Sequence, residues 1–173
     1  GLVPADPMLP ETRLGPLAAQ DALDTLSLHV RDATSRGATL HCGGEPGAGP
    51  SWVFPATVLS DCNHDMLLMT EESFGPIIGI MPVDSDAEAV GLMNDTAYGL
   101  TASIWTSDHQ LGGRLARKVR TGTAFVNRCD YVDPALPWTG FGDTGKGITL
   151  SALGYHHLTR ARGLHVRPVS SLG

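Results

Sequence analysis

Two adjacent carboxylates and an aromatic residue stand just ahead of an apolar run near the middle of the chain. Glu71 and Glu72 are followed, after one serine, by Phe74 and a Gly-Pro step. Residues 77–83 have the length and composition of a buried strand. A loop fixed to such a strand suits a polar ligand, because a carboxylate accepts hydrogen bonds from sugar hydroxyls and a ring covers a flat group. The alternative is that both glutamates are solvated loop charges and Phe74 belongs to the core.

Three cysteines are candidate nucleophiles or metal ligands. Cys42, Cys62 and Cys129 are odd in number and scattered, so a disulfide framework is not expected and a reducing compartment fits. Cys62 and His64 lie among acidic residues, but ligands so close in sequence rarely all point at one ion. The sequence also lacks a second Cys/His pair at zinc spacing. No metal site is therefore expected.

The composition excludes several classes of function. The chain has 173 residues, which suits one domain with a core that needs no disulfide or metal staple. It carries 12 basic and 18 acidic residues, and the net charge of −6 argues against a nucleic-acid surface. No apolar run approaches the roughly 18 residues of a membrane span, and no signal-peptide pattern opens the sequence. We therefore expect a cytoplasmic protein that binds neither nucleic acid nor membrane.

The first half of the sequence predicts one long helix and two short strands. Apolar residues recur at helical spacing over residues 17–33, and Gly37 follows as a candidate C-cap. Residues 38–42 and 52–59 have the composition of strands, and Pro55 within the second predicts an edge position or a bulge. These elements lead into the loop that carries the two glutamates.

The second half alternates strands and helices. The predicted strands are residues 77–83, 101–106 and 123–127. A capping box at residues 85–88 opens the first intervening helix, and Ser107 or Asp108 caps the second. Short links between such elements mean parallel strands with right-handed crossovers, and therefore a three-layer α/β fold.

A long loop, a helix and an arm follow the last of these strands. Residues 128–147 are rich in glycine and proline, and a loop of this length in a compact domain is usually functional or disordered. Its glycine-rich part, residues 140–147, resembles a phosphate cradle only in composition. Residues 148–158 predict a last helix, and residues 163–169 predict a terminal strand suited to pairing with a partner.

Five motifs along the chain resemble those of NAD(P)-dependent aldehyde dehydrogenases, and they occur in that family's order. The central Glu-Glu-x-Phe-Gly-Pro is one of them. The others are Thr12-x-x-Gly15-Pro16-Leu17, Asn-x-x-x-Tyr-Gly-Leu at residues 94–100, Gly-Thr-x-x-Val-Asn at residues 122–127, and Pro-aromatic-x-Gly at residues 137–140, which continues through Thr144-Gly145. One such match would be weak; five in order indicate kinship.

This resemblance implies a fold, a reaction and a cofactor. The fold is the catalytic domain of the aldehyde dehydrogenase type, a three-layer parallel-sheet α/β domain truncated at its N-terminus. It would cover residues 1–162, and residues 163–173 would form a C-terminal arm for oligomer or partner pairing. The reaction oxidises an aldehyde to a carboxylic acid with NAD or NADP through a cysteine thioester. The implied partners are a small aldehyde, and either further copies of the chain or the missing N-terminal half.

The resemblance also assigns roles to individual residues. Glu72 matches the acid that hydrogen-bonds the nicotinamide ribose in the family, and Phe74 matches the aromatic that lies against the nicotinamide end. Trp138 matches the aromatic that lines the substrate tunnel, although a packed loop aromatic is an equal alternative. Asn127 ends a predicted parallel strand, where α/β sheets place ligand groups, but such an asparagine more commonly ties down a loop.

The family's catalytic cysteine is not expected within these residues. None of the three cysteines has the glycine-bracketed surroundings of that nucleophile, which in the family's order would precede Gly1. The general-base glutamate and the dinucleotide-binding half would also lie upstream. We therefore expect no catalytic residue here and no activity from the chain alone.

A second function remains open. Thr139, Gly142 and Ile148 stand where the family usually has a glycine, a lysine and an arginine. These departures lie on the loop near the substrate tunnel. They permit a non-catalytic relative that keeps the fold for assembly or partner binding.

Overall fold

The structure, a computed structural model, describes residues 2–47, 52–129 and 131–168. These residues form helices and strands that alternate along much of the chain, and the predicted α/β class is confirmed. The chain divides into two compact units, Gly1–Ala89 and Val90–Gly173.

The first unit is built on a three-stranded sheet. Its strands are β1 (Thr39–Cys42), β2 (Thr57–Ser60) and β3 (Ile77–Gly79), and its helices are α1 (Asp21–Ser35) and α2 (Leu67–Thr70). The strand order is β1-β2-β3, in which β1 runs antiparallel and β3 parallel to β2. The central position of β2 therefore ties the strand that follows α1 to the strand that follows the two glutamates.

The core of this unit lies between α1 and the sheet. Ala33 of α1 and Leu59 of β2 are fully buried in one apolar cluster, while Leu26 and Phe54 belong to a second. Ile77, at the start of β3, packs against both clusters. Fully burying a leucine or phenylalanine of this kind contributes roughly 1.5–3 kcal/mol to stability.

Helix α1 begins later than the periodic pattern predicts. The Leu17 N–H donates to the Trp52 carbonyl at 2.6 Å, so this stretch is bound to the segment before β2 and does not join the helix. The end agrees with the prediction: Gly37 has φ +102°, and the Ala38 N–H donates to the Ala33 carbonyl at 3.0 Å. A local cap thus fixes the end of the helix, whereas a tertiary hydrogen bond fixes its start.

Strand β2 differs from its prediction in length and in place. It covers Thr57–Ser60, and Pro55 lies before it, so the prediction of a proline at an edge or in a bulge is wrong. The irregular register lies instead in β1, between Leu40 and Cys42. A central strand pairs on both sides, and a proline inside it would remove a ladder hydrogen bond.

Strand β3 is shorter than the apolar run that predicted it. Only Ile77–Gly79 forms strand, and Ile78 is 57% exposed at this edge of the sheet, so the expectation of a buried strand is wrong. Its parallel pairing with β2 brings the preceding Gly-Pro step beside the start of β2. There the Thr57 N–H donates to the Pro76 carbonyl at 2.8 Å, which fixes one end of the loop that carries the glutamates.

Helix α3 (Asp86–Asn94) begins with the predicted capping residues. The Glu88 N–H donates to the Ser85 hydroxyl at 3.1 Å, and the Glu88 carboxylate accepts from the Asp84 N–H at 2.7 Å. The returning bond thus reaches one residue further back than in the usual capping box. Both bonds satisfy backbone donors that a helix start would otherwise leave unpaired.

The second unit contains a parallel strand–helix–strand motif. Strands β5 (Thr101–Ile104) and β6 (Thr123–Val126) pair in parallel, and α4 (His109–Ala116) connects them. Of the two candidate caps, Asp108 is the one that acts, since its carboxylate accepts from the Leu111 N–H at 2.9 Å. The parallel pairing predicted for these two strands is confirmed.

A second small sheet in this unit was not predicted. Strand β4 (Tyr98–Gly99) pairs antiparallel with β7 (Phe141–Gly142). The Gly99 N–H also donates to the Thr144 hydroxyl at 2.8 Å. Two-residue strands are too short to show a period in sequence, so only the tertiary contact reveals them.

Helix α5 (Ser151–Leu158) is followed by an arm. The helix begins three residues later than predicted. Residues 159–168 are exposed and form neither helix nor strand, and residue 169 of the predicted terminal strand lies outside the described residues. Two statements therefore remain predictions. One is that this arm forms a strand when it pairs with a partner, and the other is that the domain ends at residue 162 and the arm begins at residue 163.

Candidate functional site

Residues 71–76 form a segment that we name the acidic loop, and its middle part forms one wall of a cavity of about 360 Å³. Glu72, Ser73 and Phe74 line this cavity. The opposite wall comes from the start of α1 and the residues before it, namely Ala18, Ala19, Asp21, Ala22 and Thr25. Glu71 is exposed and does not line the cavity. The structure therefore brings together the carboxylate and the ring that the sequence placed two residues apart.

The ring of Phe74 extends away from the core of the chain. It is 82% exposed, so the alternative that Phe74 anchors the core is wrong. Its backbone has φ +46°, a left-handed conformation that is uncommon for residues other than glycine. Such a conformation persists only where neighbouring contacts hold it, and it is found often at ligand sites.

The loop is held on both sides of Phe74 by α1. The hydroxyl of Ser73 lies 3.0 Å from Nδ1 of His29, a residue only 3% exposed. Gly75 lies against the fully buried Leu26, and a Cβ at that glycine would overlap the leucine methyls. Leu26 and His29 are three residues apart on the helix and so share one face.

Burial of His29 favours its neutral imidazole. Burial lowers the pKa of His29, while the carboxylates of Glu71 and Asp32 oppose that shift. A neutral imidazole can serve as donor or acceptor at Nδ1, depending on its tautomer, so either tautomer is compatible with the Ser73 hydroxyl.

Asp32, one turn further along α1, holds the segment that leads to the acidic loop. Its carboxylate accepts from the Leu67 N–H at 2.9 Å and from Nε of Arg36 at 2.8 Å. These hydrogen bonds, that of Arg36 first, lower the pKa of Asp32. The carboxylate caps the first turn of α2, where no side chain of α2 itself does so.

Sequence reasoning missed His29. A detectable signal existed, because His29 falls on the apolar stripe formed by Leu26, Val30 and Ala33. A polar residue inside such a stripe must find a hydrogen-bond partner when it is buried. The pattern could have predicted a partner, but not that the partner would be Ser73.

Trp138 lies in the second unit and lines a separate cavity of about 370 Å³. Other residues of that wall are Leu100, Thr139, Thr144, Lys146 and His157. The Trp138 backbone pairs with Thr149 through two hydrogen bonds of 2.8 and 3.0 Å. Trp138 is half-buried, so the geometry fits both a cavity-lining ring and a packed loop aromatic.

Asn127 serves the structure of the loop next to it. Its Oδ1 accepts from the Thr106 N–H and its Nδ2 donates to the Thr106 carbonyl, both at 2.8 Å. The amide thereby joins the residue that follows β6 to Thr106, which lies two residues after the end of β5. This geometry favours the loop-tying role over a ligand contact.

The cysteines differ in their surroundings. Cys62 is 3% exposed within the apolar cluster of α1 and β2, and burial raises the pKa of its thiol. A buried, protonated thiol is a poor nucleophile. Cys42 and Cys129 are exposed, and all three thiols are free. These surroundings agree with the expectation that the nucleophile lies elsewhere, which remains a prediction.

Other kinds of site are not found among the described residues. In that part of the chain no three His, Cys, Asp or Glu side chains are grouped to hold a metal ion, and no helix is long and apolar enough to cross a membrane. Residues 140–145 have the pattern Gly-x-Gly-x-x-Gly, but they contain β7 and a turn and do not lead directly into a helix. The first helix after these glycines is α5, six residues beyond Gly145, so the strand–turn–helix context of a dinucleotide-binding fingerprint is not present there.

Comparison with known families identifies the chain. The profile of the aldehyde dehydrogenase family matches residues 2–163. An aldehyde dehydrogenase of Paenarthrobacter nicotinovorans is 40% identical over 152 residues, which are 88% of this chain and 33% of that protein. A succinate-semialdehyde dehydrogenase [NADP(+)] 1 of Mycobacterium ulcerans is 37% identical over 153 residues, again 88% of this chain and 33% of the relative.

Solved structures give the same result. A betaine aldehyde dehydrogenase from Staphylococcus aureus in complex with NAD+ superposes with a TM-score of 0.84 at 26% identity, covering 90% of this chain and 32% of that one. An aldehyde dehydrogenase from Bacillus cereus, also as its NAD+ complex, gives 0.82 at 29% identity over 88% and 31%.

The profile match and the relatives place the chain in a family of NAD(P)-dependent oxidoreductases. The chain belongs to the aldehyde dehydrogenase family. It spans about a third of the length of the relatives it matches. The kinship inferred from the five motifs is confirmed.

Proposed function

We propose that this chain supplies the nicotinamide end of a cofactor site and one wall of a substrate tunnel in an NAD(P)-dependent aldehyde dehydrogenase. The observation that carries the proposal is the cavity wall where the Glu72 carboxylate and the exposed Phe74 ring stand together. An anionic acceptor beside a free aromatic face fits the sugar and the flat base of a nucleotide. Relatives and structural neighbours named for NADP(+) or solved with NAD+ support the same cofactor class.

Each residue has a physical task in this proposal. Glu72 accepts hydrogen bonds from ribose hydroxyls, and the ring of Phe74 lies against the nicotinamide end and excludes water from it. Trp138 offers an apolar surface to the carbon chain of the aldehyde. When bound, the nicotinamide accepts a hydride from the substrate. The thiolate that attacks the aldehyde comes from residues outside this chain.

On this proposal the 173-residue chain alone is inactive, and it works in the cytoplasm together with an N-terminal half that supplies the thiolate, either within one longer polypeptide or in a complex. The alternative is a non-catalytic module kept for assembly. The exposed arm supports this alternative, since Leu164 is 77% and Val166 72% exposed. So do the departures at Thr139 and Gly142 on the loop near Trp138.

The first test is the size of the polypeptide in its own source, probed with an antibody to the C-terminus. We expect the epitope in a chain much longer than 18.2 kDa, or in a stable complex with one, that forms NAD(P)H when an aldehyde is added. A free 18.2 kDa species or its homo-oligomer would exclude the family mechanism and favour the assembly module.

The second test addresses the cofactor contacts in that native protein. Glu72→Gln and Phe74→Ala should each weaken NADH binding, which fluorescence titration measures. For Glu72→Gln we expect an increase in Kd of about tenfold, because a charge-assisted hydrogen bond is lost. Glu71→Gln is the matched control, since this neighbouring carboxylate does not line the cavity, and it should bind NADH as the wild type does. Unchanged binding in both Glu72→Gln and Phe74→Ala would contradict the proposal.

A further inference from the structure

We propose that His29 is a positioning residue, which sets the place of Glu72 and Phe74 through its hydrogen bond to Ser73. This inference rests on the proposed function, because it concerns the accuracy with which the two cofactor contacts are held. The two partners are 44 residues apart in sequence, so the bond joins α1 to the acidic loop across the fold.

The Phe74 ring cannot hold itself in place by packing within the chain. It is 82% exposed, and its backbone adopts φ +46°. Its orientation therefore depends on the backbone on either side. On the N-terminal side lies Ser73, whose hydroxyl meets His29 at 3.0 Å; on the C-terminal side lies Gly75, in close contact with Leu26.

The anchor on the His29 side is built to be rigid. His29 is 3% exposed on a helix whose neighbouring residues Leu26 and Val30 belong to the core. Losing the Ser73 hydroxyl would leave Nδ1 of this buried imidazole without that partner, which costs free energy and so favours the bonded arrangement. The same face of α1 carries Asp32, which binds the Leu67 N–H at 2.9 Å. Helix α1 thus contacts the chain before the acidic loop at Leu67 and within it at Ser73 and Gly75.

Two charged groups face the imidazole. Glu71 belongs to the acidic loop and Asp32 to α1, and both act on His29 electrostatically. Each is retained in every variant below, so that a change in loop position can be attributed to the His29–Ser73 bond.

The test compares variants of the native protein in two measurements. His29→Leu removes the imidazole, Ser73→Ala removes the hydroxyl, and the double variant removes both. His29→Asn places an amide near the position of Nδ1 and should restore the bond. His41→Leu is the matched control, because His41 makes a similar bond of 2.8 Å to Ser60 away from the acidic loop.

The first measurement is hydrogen exchange of the amides of residues 71–76 without cofactor. His29→Leu and Ser73→Ala should both speed this exchange, His29→Asn should keep the wild-type rate, and His41→Leu should leave the loop unchanged. The second measurement is the Kd for NADH. His29→Leu should raise the Kd by about fivefold, as expected for the loss of one hydrogen bond. The Kd of the double variant should not exceed that of the single variant that binds NADH less tightly, because both single changes remove the same bond.

Each outcome decides the matter. If Glu72→Gln and Phe74→Ala weaken NADH binding while His29→Leu and Ser73→Ala do not, positioning by His29 is wrong and the proposed function stands. If Glu72→Gln and Phe74→Ala have no effect, the proposed function fails and this inference with it. Should His29→Leu fail to fold, Ser73→Ala carries the test, since it removes the partner hydroxyl at a half-buried site and leaves α1 intact.

Discussion

At the scale of single residues, burial gives His29 a measurable effect on stability. The pKa of His29 in the folded chain lies below its ordinary value of 6.5, because desolvation outweighs the attraction of Glu71 and Asp32. In the unfolded chain the imidazole therefore takes up a proton at a higher pH than in the folded chain. The free energy of unfolding should accordingly fall as the pH drops through 6.5 toward the lower folded pKa.

We expect His29→Asn to flatten this dependence, since an amide does not titrate. Urea unfolding at about pH 7.5 and at about pH 5.5 compares the two proteins over the window in which imidazoles titrate. The wild type should lose more stability than the variant across that interval. Equal losses would show that His29 titrates alike in both states.

Burial of single side chains also distinguishes Cys62 from the residues of the candidate site. Cys62 lies in the core, and burial raises the pKa of its thiol. The thiol therefore stays protonated and serves packing, since nucleophilic attack requires the thiolate. The acidic loop shows the opposite case, since Phe74 is apolar and yet 82% exposed. An exposed ring in a strained backbone is a stronger pointer to a ligand than its residue type alone.

At the scale of elements, two adjacent glycines of α4 have opposite expected effects. A Cβ at Gly112 would lie 2.8 Å from Cγ1 of Val126 and 3.0 Å from Cγ2 of Thr106, so the helix can approach β6 only because that side chain is missing. A Cβ at Gly113 would have Nη1 of Arg117, at 3.6 Å, as its nearest neighbour.

Gly113→Ala should stabilise the chain by roughly 0.5–1 kcal/mol, because alanine restricts the unfolded backbone and favours helix. Gly112→Ala gains the same helix propensity but overpacks the contact with β6, and a net loss of about 1 kcal/mol is expected. Urea unfolding of the two variants beside the wild type measures both. A stabilising Gly112→Ala would contradict the close approach of α4 and β6.

At the scale of the whole molecule, the described surface carries many exposed apolar side chains. In the arm, Leu164 and Val166 are 77% and 72% exposed, and in the N-terminal segment Val3 and Met8 are 73% and 85% exposed. The chain matches about a third of its relatives' length. The arm and the N-terminal segment are therefore two candidate surfaces for association, and the sequence analysis favours the arm.

If the arm is the pairing surface, changing Leu164 and Val166 to serine should reduce the self-association or complex formation of the native protein. Sedimentation velocity over a range of concentrations measures the effect. The same change at Val3 and Met8 is the control, because these side chains are equally exposed but lie outside the arm, and it should leave the assembly intact. Loss of assembly in the control alone would move the interface to the N-terminal segment.

Much of this protein follows from the sequence alone, because the signals are local. The end of α1 at Gly37, the cap of α4 at Asp108 and the capping residues of α3 depend on hydrogen bonds within a few residues. The motif around Glu72 and Phe74 is likewise contiguous, and the order of five such motifs was enough to indicate the family.

Other features were decided only by the tertiary structure. The start of α1 depends on a bond between Leu17 and Trp52, and the β4–β7 pair joins segments too short to show a period. The pairing of His29 with Ser73 spans 44 residues. In sequence, a histidine on an apolar stripe shows that a partner is needed; which residue satisfies it depends on how α1 packs against the loop, because long-range contacts are set by the packing of whole elements.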